Sequence, residues 1–377
     1  MSATPGSRDA LIFAEDPGAA NFVADLPAAI EARGATAVLL AKADAAPHLQ
    51  RLGVAYVRAP QSAAELLSTY QPKIMLVGTS ENTNTVGLDL LELAPVRRIT
   101  SIGLVDHPAN PAHRFPGRDG SPLGRAPDVI VVADETTRQA FIRLGQPAAD
   151  VVSCGHPVYD RARRSRQQLE SVGRTALRAK WYAAAGPRPV VMFLSEISDG
   201  VDTSAFKRSK EYSLHGRGDT AARTLIVLEE VLDALRSLQV RPFLVLRLHP
   251  KDTRETYDAY REELDLVLGP EGGLESVFAA DVVVGLTTTL LVEATILGRP
   301  TLSVVPRRVE RNWLPGIHAG LIACADERQE LRQQLSIVFG RQSYERSDDH
   351  EVEREFPSGA ADRVAELVHR LVVAPVC

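Results

Sequence analysis

Short apolar runs rich in β-branched residues alternate with helix-like patterns along the whole chain, and this alternation limits the possible folds more than any other feature. The first run, Ala10 to Ala14, is followed by a Pro-Gly turn and a helical pattern that extends to about Arg33. Such alternation predicts parallel sheets joined by crossover helices. The later predicted strands are 37–41, 54–57, 74–77, 100–104, 129–132 and 151–153, then 190–194, 243–248, 265–268, 282–285 and 301–304.

The pattern is interrupted once, near the middle of the chain. A charged helical stretch ends at the Gly-Pro-Arg-Pro segment 186–189, and a new series of strands begins at Val190. A chain of 377 residues is long enough for two domains of roughly 150 residues each. The predicted divisions are 1–160 (N-terminal domain), 161–186 (linker helix), 187–355 (C-terminal domain) and 356–377 (C-terminal helix). We expect the arginines of the linker helix to form a solvated face.

Composition and charge exclude several classes of protein. The formal net charge is −5 and aromatic residues make up 5% of the chain, so the sequence lacks both the basic excess of a nucleic-acid binder and the aromatic surface on which bases stack. The three cysteines, Cys154, Cys324 and Cys377, are scattered, which disfavours disulfides and fits a reducing cytoplasm. We expect no signal peptide, no membrane span and no bound metal.

The strongest candidate site follows the strand predicted at 282–285, where Thr287, Thr288 and Thr289 stand at the start of a predicted helix. Ligands of open parallel sheets bind beyond the carboxyl ends of the strands, and the free N–H groups of a helix N-terminus favour an anion. One threonine would suffice to cap the helix, so three favour an anion site. Glu293, one turn further on, is either an exposed helical residue or an acceptor for ribose hydroxyls.

A second cluster, of cationic side chains, ends the strand predicted at 243–248. It contains Arg247, His249 and Lys251, and alternation along a strand puts the first two on the same side. Alone, the segment is equally compatible with a surface turn capped by Asp252. Together with the threonine run, which we expect at a neighbouring strand end, it predicts a phosphate clamp, because charge-assisted hydrogen bonds suit a diphosphate.

The turn after the first strand carries two carboxylates, Glu15 and Asp16, followed by Gly18 and Asn21. Gly18 allows a substrate to approach the backbone closely, and either carboxylate is placed to act as a general base toward an acceptor hydroxyl. A structural role is equally compatible with the pattern, with Asp16 as a helix cap and Pro17 in the first helical position.

Other polar residues follow later strands. Ser80 and Glu81 are candidate acceptor contacts. His107 is a candidate acid–base group in the long loop 106–127, although a lone loop histidine is more often only a polar surface residue. Ser195 opens a polar loop that suits either a lid over an anion or a disordered surface segment.

Three segments of the chain resemble the GT-B family of nucleotide-sugar glycosyltransferases and its relatives. Residues 155–160, Gly-His-Pro-Val-Tyr-Asp, are similar to the segment that ends the N-terminal domain in enzymes of the lipid A disaccharide synthase type. Residues 247–250 and 286–300 are similar to segments of bacterial polysaccharide transferases, including sialyltransferase-like and CDP-glycerol glycerophosphotransferase-like enzymes. Non-hydrolysing UDP-GlcNAc 2-epimerases share this fold.

The resemblance implies an α/β fold with two Rossmann-like domains that face a central cleft, and a C-terminal helix that packs back on the N-terminal domain. It also implies that His249 and the threonines 287–289 hold the nucleotide phosphate, that Glu293 binds the ribose, and that the turn 15–21 faces the acceptor. The chain departs from the pattern where threonines replace a glycine pair before the ribose glutamate, and where the turn after the first strand is acidic.

These features predict a metal-independent transferase that moves a sugar from a nucleotide-activated donor to a small-molecule or glycan acceptor, with no other cofactor and no nucleic-acid partner. A homodimer is left open. A nucleotide-sugar epimerase or hydrolase, a CDP-polyol phosphotransferase and a non-catalytic nucleotide-binding protein are alternatives. The predicted site residues are Asp16, Glu15 and His107 for catalysis; Arg247, His249, Lys251, Thr287, Thr288, Thr289, Glu293 and Ser195 for the nucleotide and its phosphate; and Gly18, Asn21, Ser80 and Glu81 for the acceptor.

Overall fold

The chain divides into two compact units. The first comprises Met1–Val158 and Pro357–Cys377, and the second comprises Tyr159–Phe356. The computed structural model describes residues 7–60, 62–80, 82, 84–197, 207–238, 240–340 and 348–373. Within those ranges no helix is long and apolar enough to cross a membrane.

The first unit is built on a parallel sheet of seven strands, as far as the described residues show. The strands are β1 (Ala10–Ala14), β2 (Ala37–Ala41), β3 (Val57–Arg58), β4 (Ile74–Gly78), β5 (Thr100–Val105), β6 (Val129–Val132) and β7 (Val151–Ser153). The helices between them are α1 (Pro17–Val23), α2 (Leu26–Glu31), α3 (Ala45–Arg51), α4 (Ala63–Tyr70), α5 (Val86–Arg97) and α6 (Glu135–Arg143). The strands lie in the order β3-β2-β1-β4-β5-β6-β7.

Helices cover both faces of this sheet, so its central strands β1 and β4 are apolar at every position. All five residues of β1 are buried. Because side chains alternate along a strand, Ile12 joins the core cluster on one face, whereas Leu11 and Phe13 join the cluster on the other.

The second unit repeats this plan with six strands in its described part. They are β8 (Val190–Leu194), β9 (Phe243–Arg247), β10 (Leu266–Leu268), β11 (Val282–Gly285), β12 (Thr301–Val304) and β13 (Ala323–Ala325). The helices are α7 (Val158–Val172), α8 (Arg174–Tyr182), α9 (Arg223–Arg236), α10 (Gly273–Ala279), α11 (Thr289–Ile296), α12 (Arg328–Gly340) and α13 (Asp349–Glu355). The strand order is β10-β9-β8-β11-β12-β13.

Both sheets therefore have the same doubly wound topology. In each, the chain moves outward from the first strand to the third, returns to the far side of the first strand and continues outward again, which is the Rossmann order. All the described strand pairs within the two sheets are parallel. The prediction of two Rossmann-like sheets is confirmed.

The last helix, α14 (Ala360–Val373), belongs to the first unit. Its buried residues Val364, Ala365 and Val368 lie in the same core cluster as Leu26 and Ile30 of α2. The first unit therefore completes its core with residues that come more than 200 positions after β7.

Some predicted helices are divided or missed. The helix expected to extend to Arg33 is two helices, because Pro27 is accommodated only in the first turn of α2. The helical stretch around 160–181 is divided at Gly173, whose φ of 88° is strained for any residue but glycine. The sequence pattern predicts neither α12 nor α13, nor the short strand β13, whose Ala-Cys-Ala sequence contains no β-branched residue.

Two arginines of α7, Arg163 and Arg166, do not lie on the solvated face that the sequence predicts. Arg166 is buried, and its guanidinium donates to the Ile296 carbonyl at 2.9 Å and to Asp349 at 3.1 Å. Arg163 donates to the Phe356 carbonyl at 2.5 Å. These bonds hold α7 to the end of α11 and to the α13 region, so the segment expected as a linker lies within the second unit.

Candidate functional site

Each sheet has a switch point, where two adjacent strands lead to helices on opposite faces and ligands of such folds bind. In the second unit this point lies between β8 and β11, whose ends are followed by Ser195–Glu196 and by Thr287. In the first unit it lies between β1 and β4, which are followed by Glu15–Asp16 and by Ser80. Several of the predicted site residues therefore stand at the two switch points.

Ser195 fastens the turn that contains His249. The buried Ser195 hydroxyl donates to Asp252 Oδ2 at 2.7 Å and accepts the His249 backbone N–H at 2.8 Å. The Tyr257 hydroxyl donates to the same Asp252 oxygen at 2.6 Å. Ser195, a predicted phosphate contact, thus makes its hydrogen bonds inside the second unit and shapes the turn after β9.

The His249 ring is held in one tautomer. The backbone N–H of Lys251 donates to His249 Nδ1 at 3.2 Å, because Pro250 between them has no N–H. A neutral ring that accepts at Nδ1 carries its proton at Nε2, where it is a donor suited to an anion. His249 and Lys251 are both half-buried at the carboxyl edge of the sheet.

His249 and the threonine run do not lie at neighbouring strand ends, contrary to expectation. β8 lies between β9 and β11, which separates their ends by two strand spacings, or about 9–10 Å. The dipeptide after β8 spans this gap, with Ser195 bonded to the His249 turn and Glu196 bonded to Thr287.

The three threonines have three different roles. Thr287 donates from its backbone N–H to Glu196 Oε2 at 2.8 Å and from its hydroxyl to Glu196 Oε1 at 2.7 Å. Thr288 is the N-cap of α11, with its side chain accepting the Leu290 N–H at 3.4 Å. Thr289 is the first helical residue. The backbone N–H groups of Thr288 and Thr289 have no hydrogen-bond partner among the described residues.

Behind Thr287 lies a buried chain of alternating charges. The Arg223 guanidinium donates to Glu196 Oε1 at 2.6 Å and, from Nε, to Glu310 Oε2 at 2.8 Å. Arg307 donates to the other oxygen of Glu310 at 2.6 Å. Burial tends to raise the pKa of the Glu196 carboxyl, but Arg223 and Thr287 outweigh it and lower that pKa. Glu196 is therefore ionised in this network.

Arg247, predicted to bind phosphate, is turned toward α10 instead. Its buried guanidinium donates to the Gly273 carbonyl and, at 2.9 Å, to the Ser276 hydroxyl. These bonds hold the start of α10 to the end of β9. Burial lowers the pKa of Arg247, and the nearby Glu293 carboxylate opposes that change.

Glu293 is half-buried on α11, one turn beyond the threonines. Burial raises the pKa of its carboxyl to about 7, although the positive charges of Arg161 and Arg247 offset part of the increase. No hydrogen bond to the Glu293 side chain is found in the described part of the chain. Its carboxyl oxygens are therefore available as acceptors for ligand hydroxyls.

In the first unit, the Glu15 carboxylate interacts with α5 and with Lys42. Its carboxylate accepts the Gly87 N–H near the start of α5 at 3.1 Å, and Lys42 Nζ lies 3.9 Å away. Burial raises the pKa of Glu15, whereas the Gly87 N–H and Lys42 lower it. A carboxylate at a helix N-terminus is favoured by the free N–H groups there.

Asp16 differs from Glu15, because it occupies the N-cap position of α1 without making a capping hydrogen bond. The nearby Asp106 carboxylate follows β5 and lies so close to Gly18 that a Cβ there would overlap it. Arg114 NH1 lies 3.4 Å from Asp106. Burial raises the pKa of Asp106, which Arg114 and His107 oppose and Asp16 reinforces. Asp106 is not among the predicted site residues, although its place directly after β5 is a signal for it.

The other described side chains that were predicted for the acceptor site or for catalysis form hydrogen bonds within the first unit. Asn21 Oδ1 lies 2.9 Å from His48 Nε2, and the Ser80 hydroxyl accepts the Asn82 N–H at 3.1 Å. His107 Nδ1 accepts the Ala109 N–H at 3.2 Å. Glu81 lies outside the described residues.

Contacts within the protein hold the loop 106–127 and the described part of the polar loop that follows Ser195. In the loop 106–127, the buried Arg114 donates to the Ala109 and His107 carbonyls at 3.1–3.2 Å. In the segment 207–218, Tyr212 and Leu214 belong to the core of the second unit.

No family model and no curated protein matches the sequence. Solved structures do match. The UDP-GlcNAc 2-epimerase of Neisseria meningitidis bound to UDP-GlcNAc has a TM-score of 0.64 at 12% identity, over 97% of this chain and 99% of its own. A glycosyltransferase of Rickettsia africae has a TM-score of 0.62 at 10% identity, over 98% and 100%.

The Anabaena protein HepE, solved with UDP and glucose, has a TM-score of 0.59 at 14% identity, over 97% of this chain and 100% of its own. At such identities the likeness is one of fold. The chain has the two-sheet GT-B fold that is also found in UDP-GlcNAc 2-epimerases and in glycosyltransferases.

Proposed function

We propose that the protein is a metal-independent transferase that moves a sugar from a nucleotide-activated donor to an acceptor hydroxyl. The observation that carries this proposal is the arrangement around β8, where Ser195 and Glu196 hold the His249 turn and the start of α11 at the switch point of the second sheet. This is the position at which such sheets bind ligands.

In this proposal the second unit binds the nucleotide. His249 donates from Nε2 to a phosphate oxygen, and the N–H groups of Thr288 and Thr289 provide the partial positive charge of a helix N-terminus. Glu293 accepts the ribose hydroxyls. As the bond between the anomeric carbon and the phosphate oxygen breaks, the electron pair stays on the phosphate, and these donors stabilise the charge that develops.

A carboxylate of the first unit deprotonates the acceptor hydroxyl, whose oxygen forms the new bond to the anomeric carbon. Glu15, Asp16 and Asp106 are the candidates; the Glu15 carboxylate accepts the Gly87 N–H near the start of α5, and Asp106 lies 3.4 Å from Arg114. Two nearby carboxyls of which one has a raised pKa are suited to proton transfer at neutral pH. Gly18, Asn21, Ser80 and Glu81 remain proposed acceptor contacts, and His107 a proposed acid–base group.

Epimerisation of a nucleotide sugar is a second candidate. Two features favour it: the structural likeness to UDP-GlcNAc 2-epimerases, and a pair of carboxyls that can remove and return a proton. Incubation with a nucleotide sugar alone distinguishes the reactions, since an epimerase converts it without an acceptor and a transferase does not.

The nucleotide site is tested by calorimetry with the nucleotide that gives the largest thermal shift in a screen, since a ligand of the native state raises the melting temperature. We expect His249→Ala to weaken binding at least tenfold, whereas His318→Ala, an exposed histidine bonded to Asn312, leaves it unchanged. Unchanged nucleotide binding by His249→Ala would contradict the assignment of His249 to the nucleotide site. Activity that survives exhaustive chelation would support a metal-independent reaction.

A further inference from the structure

The Glu196 carboxylate occupies part of the place where an anion is expected at the start of α11. Its two oxygens accept the backbone N–H and the hydroxyl of Thr287, at 2.8 and 2.7 Å. A carboxylate, like a phosphate, only accepts hydrogen bonds when ionised. One of the donors that a phosphate would use at this switch point is thus already bonded to the protein's own anion.

The charges behind Glu196 hold it in this position. Arg223 contacts both Glu196 and Glu310, and Arg307 contacts Glu310, so two guanidinium groups and two carboxylates balance in a buried chain. Arg223 and Glu310 are almost completely inaccessible, with exposed side-chain fractions of 2% and 0%. Moving Glu196 away would leave the positive charge of Arg223 only partly compensated, which is costly for buried charges.

The space left for a ligand is correspondingly limited. The N–H groups of Thr288 and Thr289, which have no partner among the described residues, form one short set of donors. A second phosphoryl group directed toward Thr287 would meet the Glu196 carboxylate, and like charges at close range repel each other.

We propose that Glu196 is a specificity-determining residue that limits the start of α11 to a single phosphoryl group, so that the site favours a nucleoside monophosphate over the diphosphate of the same nucleoside. This inference rests on the proposed nucleotide site and adds the chemical class of the activated donor, a sugar linked to a nucleoside monophosphate.

The test compares matched pairs, UMP with UDP and CMP with CDP, by calorimetry on the full chain in metal-free buffer. Wild type is expected to bind each monophosphate at least as tightly as its diphosphate. Glu196→Gln keeps the size of the side chain and one acceptor for Thr287 but removes the charge, and is expected to shift the ratio at least tenfold toward the diphosphate. Glu327→Gln, an exposed control, leaves the ratio unchanged.

A wild type that binds the diphosphates at least tenfold more tightly overturns the specificity role and leaves the proposed function intact, and it does so even if Glu196→Gln fails to fold. A folded Glu196→Gln with the wild-type ratio also overturns it. If none of the four nucleotides binds, and none in a wider screen, the proposed function fails and this inference fails with it.

Discussion

At the scale of single residues, the same His-Pro turn occurs three times at strand ends. His107, His156 and His249 each accept at Nδ1 the backbone N–H of the residue two positions later, at 3.1–3.2 Å. The intervening proline has no N–H, so the next donor along the chain is the one that reaches the ring. In its neutral form each ring therefore carries the proton at Nε2, and this consequence follows from the local turn.

The environments of these three histidines differ, and the tertiary structure decides what each is available to do. His156 is buried, with its ring 4.8 Å from the ring of Phe22, whereas His249 is half-buried beside Lys251 at a sheet edge. The same local turn is a packing element in one place and a candidate anion donor in the other.

The raised pKa of Glu293 predicts how the stability of the protein depends on pH. Its pKa is about 7 in the folded protein and 4.5 for the ordinary side chain. Because the pKa of Glu293 is raised in the folded state, its contribution to the free energy of unfolding is most favourable below pH 4.5. This contribution is lost as the pH rises through 7. Glu293→Gln never ionises, so its melting temperature relative to wild type is expected to be higher at pH 8 than at pH 5.

Thermal unfolding at both pH values measures this difference. The exposed Glu366→Gln serves as the control and should differ from wild type equally at pH 5 and pH 8. A pH-independent difference for Glu293→Gln would show that the Glu293 carboxyl titrates in its ordinary range.

At the scale of secondary-structure elements, the end of β8 is the part of the second unit on which the candidate site depends. Ser195 and Glu196 directly follow β8, and they bond to segments that lie on either side of it. One holds the turn after β9 and the other holds the loop before α11. The site is thus positioned by the central strand, although the proposed ligand contacts come from its neighbours.

We expect Ser195→Ala to lower the free energy of unfolding by about 1–3 kcal/mol, since it leaves the His249 N–H and Asp252 without this partner. Urea denaturation measures the change. Ser171→Ala removes an exposed hydroxyl of α7 that bonds only to a local carbonyl, and should change stability by less than about 0.5 kcal/mol. Equal effects of the two substitutions would contradict the fastening role of Ser195.

At the scale of the whole molecule, two sheets with the same doubly wound topology each pack against their own helices to form separate cores. The C-terminal helix α14 belongs to the first unit and completes its core, although the second unit separates it in sequence from the rest of the first. Both tryptophans, Trp181 and Trp313, lie in the second unit. Tryptophan fluorescence therefore reports on the second unit, whereas far-UV circular dichroism reports on both.

This division allows a test of α14. Leu367 is buried in the core of the first unit, and Leu367→Ala is expected to lower the free energy of unfolding of that unit by about 2–5 kcal/mol. Circular dichroism should then show an earlier transition in urea, while the fluorescence transition stays where it is in wild type. The exposed Glu366→Ala on the same helix should move neither. A shift of both transitions in Leu367→Ala would show that the two units unfold together.

Much of the fold follows from local pattern. Strands such as β1, β2, β6 and β8 have the predicted limits, because a buried parallel strand is a short apolar run with turn residues at its ends. The divided helices and the strand β13 do not follow so directly. They depend on how Pro27 and Gly173 are accommodated and on pairing with β12, which short-range periodicity does not specify.

By itself, the sequence determined the alternation of strands and helices, the parallel class of the sheets and the residues that stand at the strand ends, because each depends on residues a few positions apart. Only the tertiary structure decided which partner each strand-end residue has. It placed β8 between β9 and β11, turned Arg247 to α10 and gave Thr287 to Glu196. The physical reason is that each of these donors could bond to more than one acceptor, and the order of the strands in the sheet decides which acceptor lies next to it.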